Sequence, residues 1–233
     1  KKRANGYHEI SSVFYPVKEF FDILEIVPSD DFSFISSGIE IPGKSNICAE
    51  AFQILKNDFE IGNVKIHLHK LIPIGAGLGG GSADGAFVLK ALSTLFDLQL
   101  SNAELEKYAL QLGADCPFFI ENTSKYVAGI GEKMTTIDLD LSEFELKFIF
   151  PDLHISTAEA YGGVTPDIPE HNLLDAIKHP IENWKEELQN DFEVSAFAKY
   201  PQLAKMKAKL YADGAIYASM TGSGSVIYGV LRK

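Results

Sequence analysis

Residues 73–86, PIGAGLGGGSADGA, set six glycines and one serine between a strand-like stretch and a helix-like one. Glycine tolerates positive φ and carries no Cβ, so successive backbone N–H groups can turn toward one anion and let its oxygens come close. A helix starting near Ser82 adds unpaired N–H groups and the positive end of its dipole. A glycine run can also be a flexible linker, but the flanks here are rigid. VKIHLHKLI, residues 64–72, alternates like a strand, and Phe87, Val88, Leu89, Ala91, Leu92, Leu95 and Phe96 form one amphipathic helix. The stretch reads as a phosphate cradle at a strand-to-helix junction.

Outward from the cradle, strands are expected near 11–17, 21–28 and 32–35, followed by a helix capped by Asn46 through ICAEAFQILK. Downstream, Ser101 and Glu104 form a capping box for a third helix that stops at Gly113. KYVAGIG and ELKFIF read as strands. Beyond Pro151 the composition turns to loop residues, then to helix-like segments at 172–177, ENWKEELQNDFEV and YPQLAKMKAKLYADG. AIYASMTG and SVIYGVL close the sequence as a hairpin around a second glycine turn. Strands and helices that mix without strict alternation predict an α+β protein with a boundary near 145–155.

With 233 residues and 46% hydrophobic content, the chain can bury a sizeable core. A formal charge of −11 argues against a nucleic-acid binder. An anionic ligand must therefore be held locally, by the loop and by cations such as Lys70 and the Lys1, Lys2, Arg3 cluster. Cys48 and Cys116 stand far apart, which fits a reducing cytoplasm better than a disulfide framework. No apolar run approaches the roughly 20 residues that span a bilayer, so no membrane partner and a cytoplasmic location are expected. His67 and His69 form an H-x-H on one strand face, a weak zinc signal without a further ligand near in sequence.

Gly75, Gly77 and Gly80 satisfy G-x-G-x-x-G, but a dinucleotide fold wants an acidic residue ending a second parallel strand, and Asp97 follows a helix instead. A Walker A loop ends in G-K-[ST], and a protein-kinase glycine loop leads to V-A-I-K. Neither is present. What remains, P-x-G-A-G-L-G-G-G-S opening a long helix, resembles the phosphate-binding motif of the GHMP small-molecule kinases. GADCPFF, residues 113–119, resembles the segment bearing the catalytic aspartate in the branch acting on 4-diphosphocytidyl-2-C-methyl-D-erythritol. GYHE, from Gly6 to Glu9, matches that branch's substrate motif, and MTGSGS, from Met220 to Ser225, resembles the third motif, a glycine turn closing over the nucleotide.

The resemblance implies a two-domain GHMP kinase fold, with a ribosomal protein S5 domain 2-like part over 1–148 and a ferredoxin-like part over 149–233. It implies ATP and Mg²⁺ as cofactors and a cytidine diphosphate-linked methylerythritol as substrate, phosphorylated on its 2-hydroxyl in the non-mevalonate isoprenoid pathway. The nucleotide phosphates fall to Pro73, Ile74, Gly75, Ala76, Gly77, Leu78, Gly79, Gly80, Gly81, Ser82 and Ala83. Ser82 either caps the helix or approaches the metal. Asp115, backed by apolar Cys116, Pro117, Phe118 and Phe119, is either a turn aspartate or, by resemblance, the base that accepts the hydroxyl proton. Tyr7 and His8 read as a half-buried strand-end pair or as groups that stack on and hydrogen-bond the cytosine. ISTAEAY carries Thr157 toward the substrate and Tyr161 to the opposite face of the base. Lys70 matches a family lysine near the substrate, or is a solvated strand-end lysine.

Family members open with an A-K-I-N strand, expected here upstream of Lys1, and continue past the third motif with another helix and strand. The other readings left open are a GHMP kinase for mevalonate-like, homoserine or sugar substrates, and a module that binds nucleotide without transferring phosphate.

Overall fold

The computed structural model describes residues 8–43, 46–165 and 172–233. Its first part runs β1 (Ile10–Phe14), β2 (Ile23–Ser29), β3 (Ser33–Gly38), α1 (Ile47–Asp58), β4 (Asn63–Lys70), α2 (Gly80–Leu95), α3 (Asn102–Leu112), the single turn α4 (Phe118–Glu121), β5 (Lys125–Gly129) and β6 (Lys133–Thr136). The second part runs β7 (Phe144–Ile149), α5 (Thr157–Gly163), α6 (Leu173–Ala176), a 3-10 turn at Ile181–Asn183, α7 (Trp184–Glu187), α8 (Phe192–Lys199), α9 (Pro201–Ala212), β8 (Tyr217–Met220) and β9 (Ile227–Arg232).

Among the described residues the strands form three sheets, in the orders β1-β5-β6, β2-β4-β3 and β7-β9-β8. The middle sheet carries the cradle. β4 pairs antiparallel with β2 and parallel with β3, and its period of two turns Val64, Ile66, Leu68 and Lys70 inward. α1, α2 and α3 pack on one another and cover this face, burying Leu55, Leu89, Leu92 and Ala109 completely. Each fully buried leucine contributes about 1.5–3 kcal/mol of transfer free energy, so the strand and helix flanking the glycines are firmly anchored.

Local signals set the helix ends as expected. Asn46 accepts from the Cys48 N–H at 2.8 Å, and Ser101 and Glu104 form the reciprocal capping box. All six residues of β7 pair with β9. One expectation shifts. ENWKEELQNDFEV, read as one helix, breaks at Leu188, which is extended, and α8 restarts after Asn190. The Asn190 carboxamide leaves the helical ladder for more distant backbone partners, a competition open to asparagine.

A candidate nucleotide and cytidylyl site

The cradle is built from glycines that serve different purposes. Gly79 is the N-cap of α2 at φ +69°, a left-handed conformation that places the first helical residue at Gly80. The helix thus begins at Gly80, and Ser82 lies in its first turn rather than at the cap. At Gly77, φ is +74° and a Cβ would stand 2.5 Å from the Thr221 carbonyl oxygen and 2.8 Å from that of Gly224. The Thr221 hydroxyl donates to the Ala76 carbonyl at 3.1 Å, so the turn at 220–225 is seated directly on the cradle. At Gly79 a Cβ would meet the Phe119 ring at 2.8 Å, which brings the α4 segment against the same loop. Gly81 differs: a Cβ there meets nothing within 4 Å. Open space at the start of a helix, beside unpaired N–H groups, fits a phosphate.

The segment bearing Asp115 therefore lies against the loop, with the Phe119 ring close to Gly79. Asp115 is exposed, and the protein mass around it raises its carboxyl pKa above the ordinary value by desolvation. Tyr161, on α5, is close enough to feel the Asp115 charge: burial raises its phenol pKa first, and Asp115 adds to the rise. Tyr161 and His8 pair ring to ring with centroids 5.2 Å apart, and Phe192 meets Tyr161 edge-on at 4.9 Å. Thr157 is the exposed first residue of α5, whose N-cap Ser156 accepts from the Glu159 N–H at 3.2 Å. Tyr7 and Gly6 lie outside the described residues, as do Lys1, Lys2 and Arg3.

Lys70 corrects an expectation. Its side chain is 4% exposed, and its ammonium lies 2.6 Å from both Asp22 and Asp84, so it has no face left for a substrate. Burial opposes every charge in this triad. Around Asp22 the N–H groups of Ile72 and Leu71 and the Lys70 ammonium outweigh that cost and hold the carboxyl below its usual range. Its two carboxylates likewise outweigh burial at Lys70 and raise the ammonium pKa, whereas burial dominates at Asp84 and pushes its carboxyl to about 7. The triad fastens the end of β4, the start of the loop and the first turns of α2; a Cβ on Gly80 would stand 3.2 Å from the Lys70 nitrogen. Asp22 and Asp84 escaped the sequence reading because a buried pair announces itself only by distance in space, although Asp22 stands one residue before Ile23, which registers with His69.

His67 and His69 lie on the opposite face of the middle sheet, both bonded to the Ser37 hydroxyl at 2.9 and 2.8 Å. Among the described residues no group of three His, Cys, Asp or Glu side chains can hold a metal. No described helix is long and apolar enough to cross a membrane. His154, which sequence reasoning left aside, packs its ring on Gly75, where a Cβ would come within 2.1 Å of it.

Comparison with known proteins places these features. The family described as "GHMP kinases N terminal domain" matches residues 46–122, and "GHMP kinases C terminal" matches 173–233. A "4-diphosphocytidyl-2-C-methyl-D-erythritol kinase" of Azobacteroides pseudotrichonymphae genomovar. CFP2 is 48% identical over 100% of this chain and 88% of its own length. That of Parabacteroides distasonis is 45% identical over 100% of this chain and 86% of its own. A crystal structure titled as 4-(cytidine 5'-diphospho)-2C-methyl-D-erythritol kinase superposes with a TM-score of 0.77 at 31% identity, covering 98% of this chain and 83% of that one. A homoserine kinase from Cytophaga hutchinsonii, at TM-score 0.70 and 16% identity, shares the fold.

Proposed function

The chain belongs to the GHMP kinase family, and on that premise we propose that it moves the γ-phosphoryl group of ATP to the 2-hydroxyl of 4-diphosphocytidyl-2-C-methyl-D-erythritol. The observation that supports this reading is the seating of two remote segments on the glycine run: Phe119, four residues after Asp115, against Gly79, and the turn at Thr221 against Gly77.

In the transfer, a bond forms between the substrate hydroxyl oxygen and the γ-phosphorus while the bond to the bridging oxygen breaks and ADP departs. Such a reaction needs positioning, charge neutralisation and a place for the hydroxyl proton. Residues 75–82 supply backbone N–H donors and the helix dipole for the phosphates, a local positive field in a chain of net charge −11. The Asp115 carboxylate accepts the hydroxyl proton, a role worth about 10²–10⁴ in rate, and its raised pKa makes it a better base than a solvated aspartate. By resemblance Tyr7 and Tyr161 take the two faces of the cytosine and His8, whose ring lies 5.2 Å from that of Tyr161, hydrogen-bonds its edge; each stacked face is worth about 1–3 kcal/mol. Thr157 lies at the start of the same helix as Tyr161 and is assigned to the substrate.

Mg²⁺ neutralises charge on the transferring phosphates in reactions of this kind. Ser82, in the first turn of α2, is the hydroxyl assigned to it by resemblance. The division into a phosphate-binding part and a part contributing Tyr161 and the glycine turn is proposed on the same grounds.

The test is ADP release by the full chain supplied with ATP and Mg²⁺, with 4-diphosphocytidyl-2-C-methyl-D-erythritol, mevalonate, homoserine or no acceptor. Turnover with the cytidylyl substrate alone is expected. Equal or greater turnover with another acceptor, or none with the cytidylyl compound, rejects the assignment.

A further inference from the structure

The segment from Asn190 to Glu193, where a single helix was expected, is wired both to the turn at 220–225 and to Tyr161. The Asn190 carboxamide nitrogen donates to the carbonyls of Met220 and Gly222, each at 2.8 Å, and its oxygen accepts from the Phe192 N–H at 3.0 Å. Backbone carbonyls only accept, so this orientation of the amide is dictated by its partners. One Glu193 carboxylate oxygen accepts from the Met220 N–H at 2.8 Å and the Ser219 hydroxyl at 3.0 Å, while the other pairs with Lys207 at 2.5 Å. Both polar backbone groups of Met220 and the carbonyl of Gly222 are thus gripped from one place. Between them lies Thr221, which donates to Ala76 and fills the space beside Gly77.

The same segment touches α5. Phe192 meets Tyr161 edge-on at 4.9 Å, and α5 approaches α8 so closely that a Cβ on Gly163 would stand 2.6 Å from Ser195. We propose that Asn190, Phe192 and Glu193 are positioning residues of the transfer site, with Asn190 and Glu193 setting the glycine turn against the phosphate cradle and Phe192 orienting Tyr161 for the base. The proposal rests on the assignment of ATP to the glycine run and of the cytidylyl group to Tyr161.

The test separates the two arms. Asn190→Asp keeps the size and the acceptor but replaces both donors by a carboxylate oxygen facing two carbonyls. It is expected to weaken ATP binding about 10- to 100-fold, leaving KM for the cytidylyl substrate within about twofold. Phe192→Leu is expected to do the reverse, raising the cytidylyl KM about 2- to 13-fold, as loss of a 0.5–1.5 kcal/mol aromatic pair allows, with ATP affinity unchanged. Glu193→Gln keeps the acceptor and is expected to retain most ATP affinity, whereas Glu193→Ala is not. If Asn190→Asp does not fold, Asn190→Ser, which keeps a cap acceptor, takes its place. ATP affinity is read by equilibrium titration, independent of turnover. Parallel changes in both ligands, tracking a fall in melting temperature, or no change in either, overturn the proposal. Selective loss of ATP affinity in a protein that never phosphorylates the cytidylyl compound supports the positioning role of Asn190 and Glu193 and rejects the assigned reaction.

Discussion

Replacing Gly81 by alanine separates the phosphate-binding duty of the cradle from its structural duty. Gly81 is the second residue of α2, and a Cβ built there meets nothing within 4 Å. In the free protein the change removes conformational freedom from the unfolded chain at a position already helical, a gain of up to about 0.5–1 kcal/mol. For a chain of this size that corresponds to a rise in Tm of about 1–4 °C. If the open space belongs to phosphate oxygens, the methyl group displaces them from at least one N–H. Loss of a hydrogen bond to a charged group costs about 1.5–3 kcal/mol, or roughly 10- to 100-fold in KM for ATP. A more stable protein with poorer ATP binding is the expected outcome, read by thermal unfolding without nucleotide and by steady-state kinetics. Gly77→Ala provides the contrast. Its φ of +74° costs about 1–2 kcal/mol for a residue with a Cβ, and overpacking against the turn adds about 1–3 kcal/mol. Melting should therefore fall by about 4–20 °C. An alanine at 81 that leaves the ATP constants unchanged would refute the placement of the phosphates at this helix start.

Asp115→Asn is expected to lower kcat by about 10²–10⁴ while ATP affinity persists, measured by turnover and nucleotide titration. The same variant tests the electrostatics at this carboxyl: desolvation raises the Asp115 pKa in the folded state, so ionisation costs stability above that pKa and costs nothing below the unfolded value of 3.8. The asparagine variant should accordingly melt higher at pH 7, with the advantage vanishing below pH 3.8; a lower melting temperature at pH 7 contradicts the assignment. Catalysis by wild type should decline as pH falls through that raised pKa, since the base must be ionised, and a rate independent of pH down to 4 would exclude it. Lys70→Met leaves Asp22 and Asp84 buried without their cation and should cost about 3–5 kcal/mol, seen in denaturant unfolding at pH 7. Tyr161→Ala should raise KM for the cytidylyl substrate by about 5- to 100-fold, from the 1–3 kcal/mol of a stacked face, with KM for ATP nearly unchanged.

Much of this fold was legible because its signals are local. The glycine run, the period-two strand before it, the Asn46 cap and the Ser101–Glu104 box each depend on neighbours within a few residues. Pattern and chemistry there agree, and the structure follows them. The helix expected to start near Ser82 begins at Gly80, because Gly79, free of a Cβ, takes the left-handed cap, and Ser82 is left out of the capping position. Lys70 was misread because sequence cannot show that Asp22 and Asp84 converge on it from a different strand and from the helix beyond the loop.

By itself, then, the sequence determined a glycine-rich loop between a strand and a helix, an α+β chain and, through its motifs, the family to which it belongs. Backbone conformation at glycines, helix caps and side-chain periodicity are properties of short segments, so they are written where they act. Tertiary structure alone decided which remote residues meet. His8 and Tyr161 pair their rings from distant stretches, Lys70 lies in a buried triad with Asp22 and Asp84, and Asn190, between two helices, grips the turn at Met220 and Gly222. Those outcomes are set by burial and by the requirement that each buried polar group find a partner, conditions that exist only once the chain has folded.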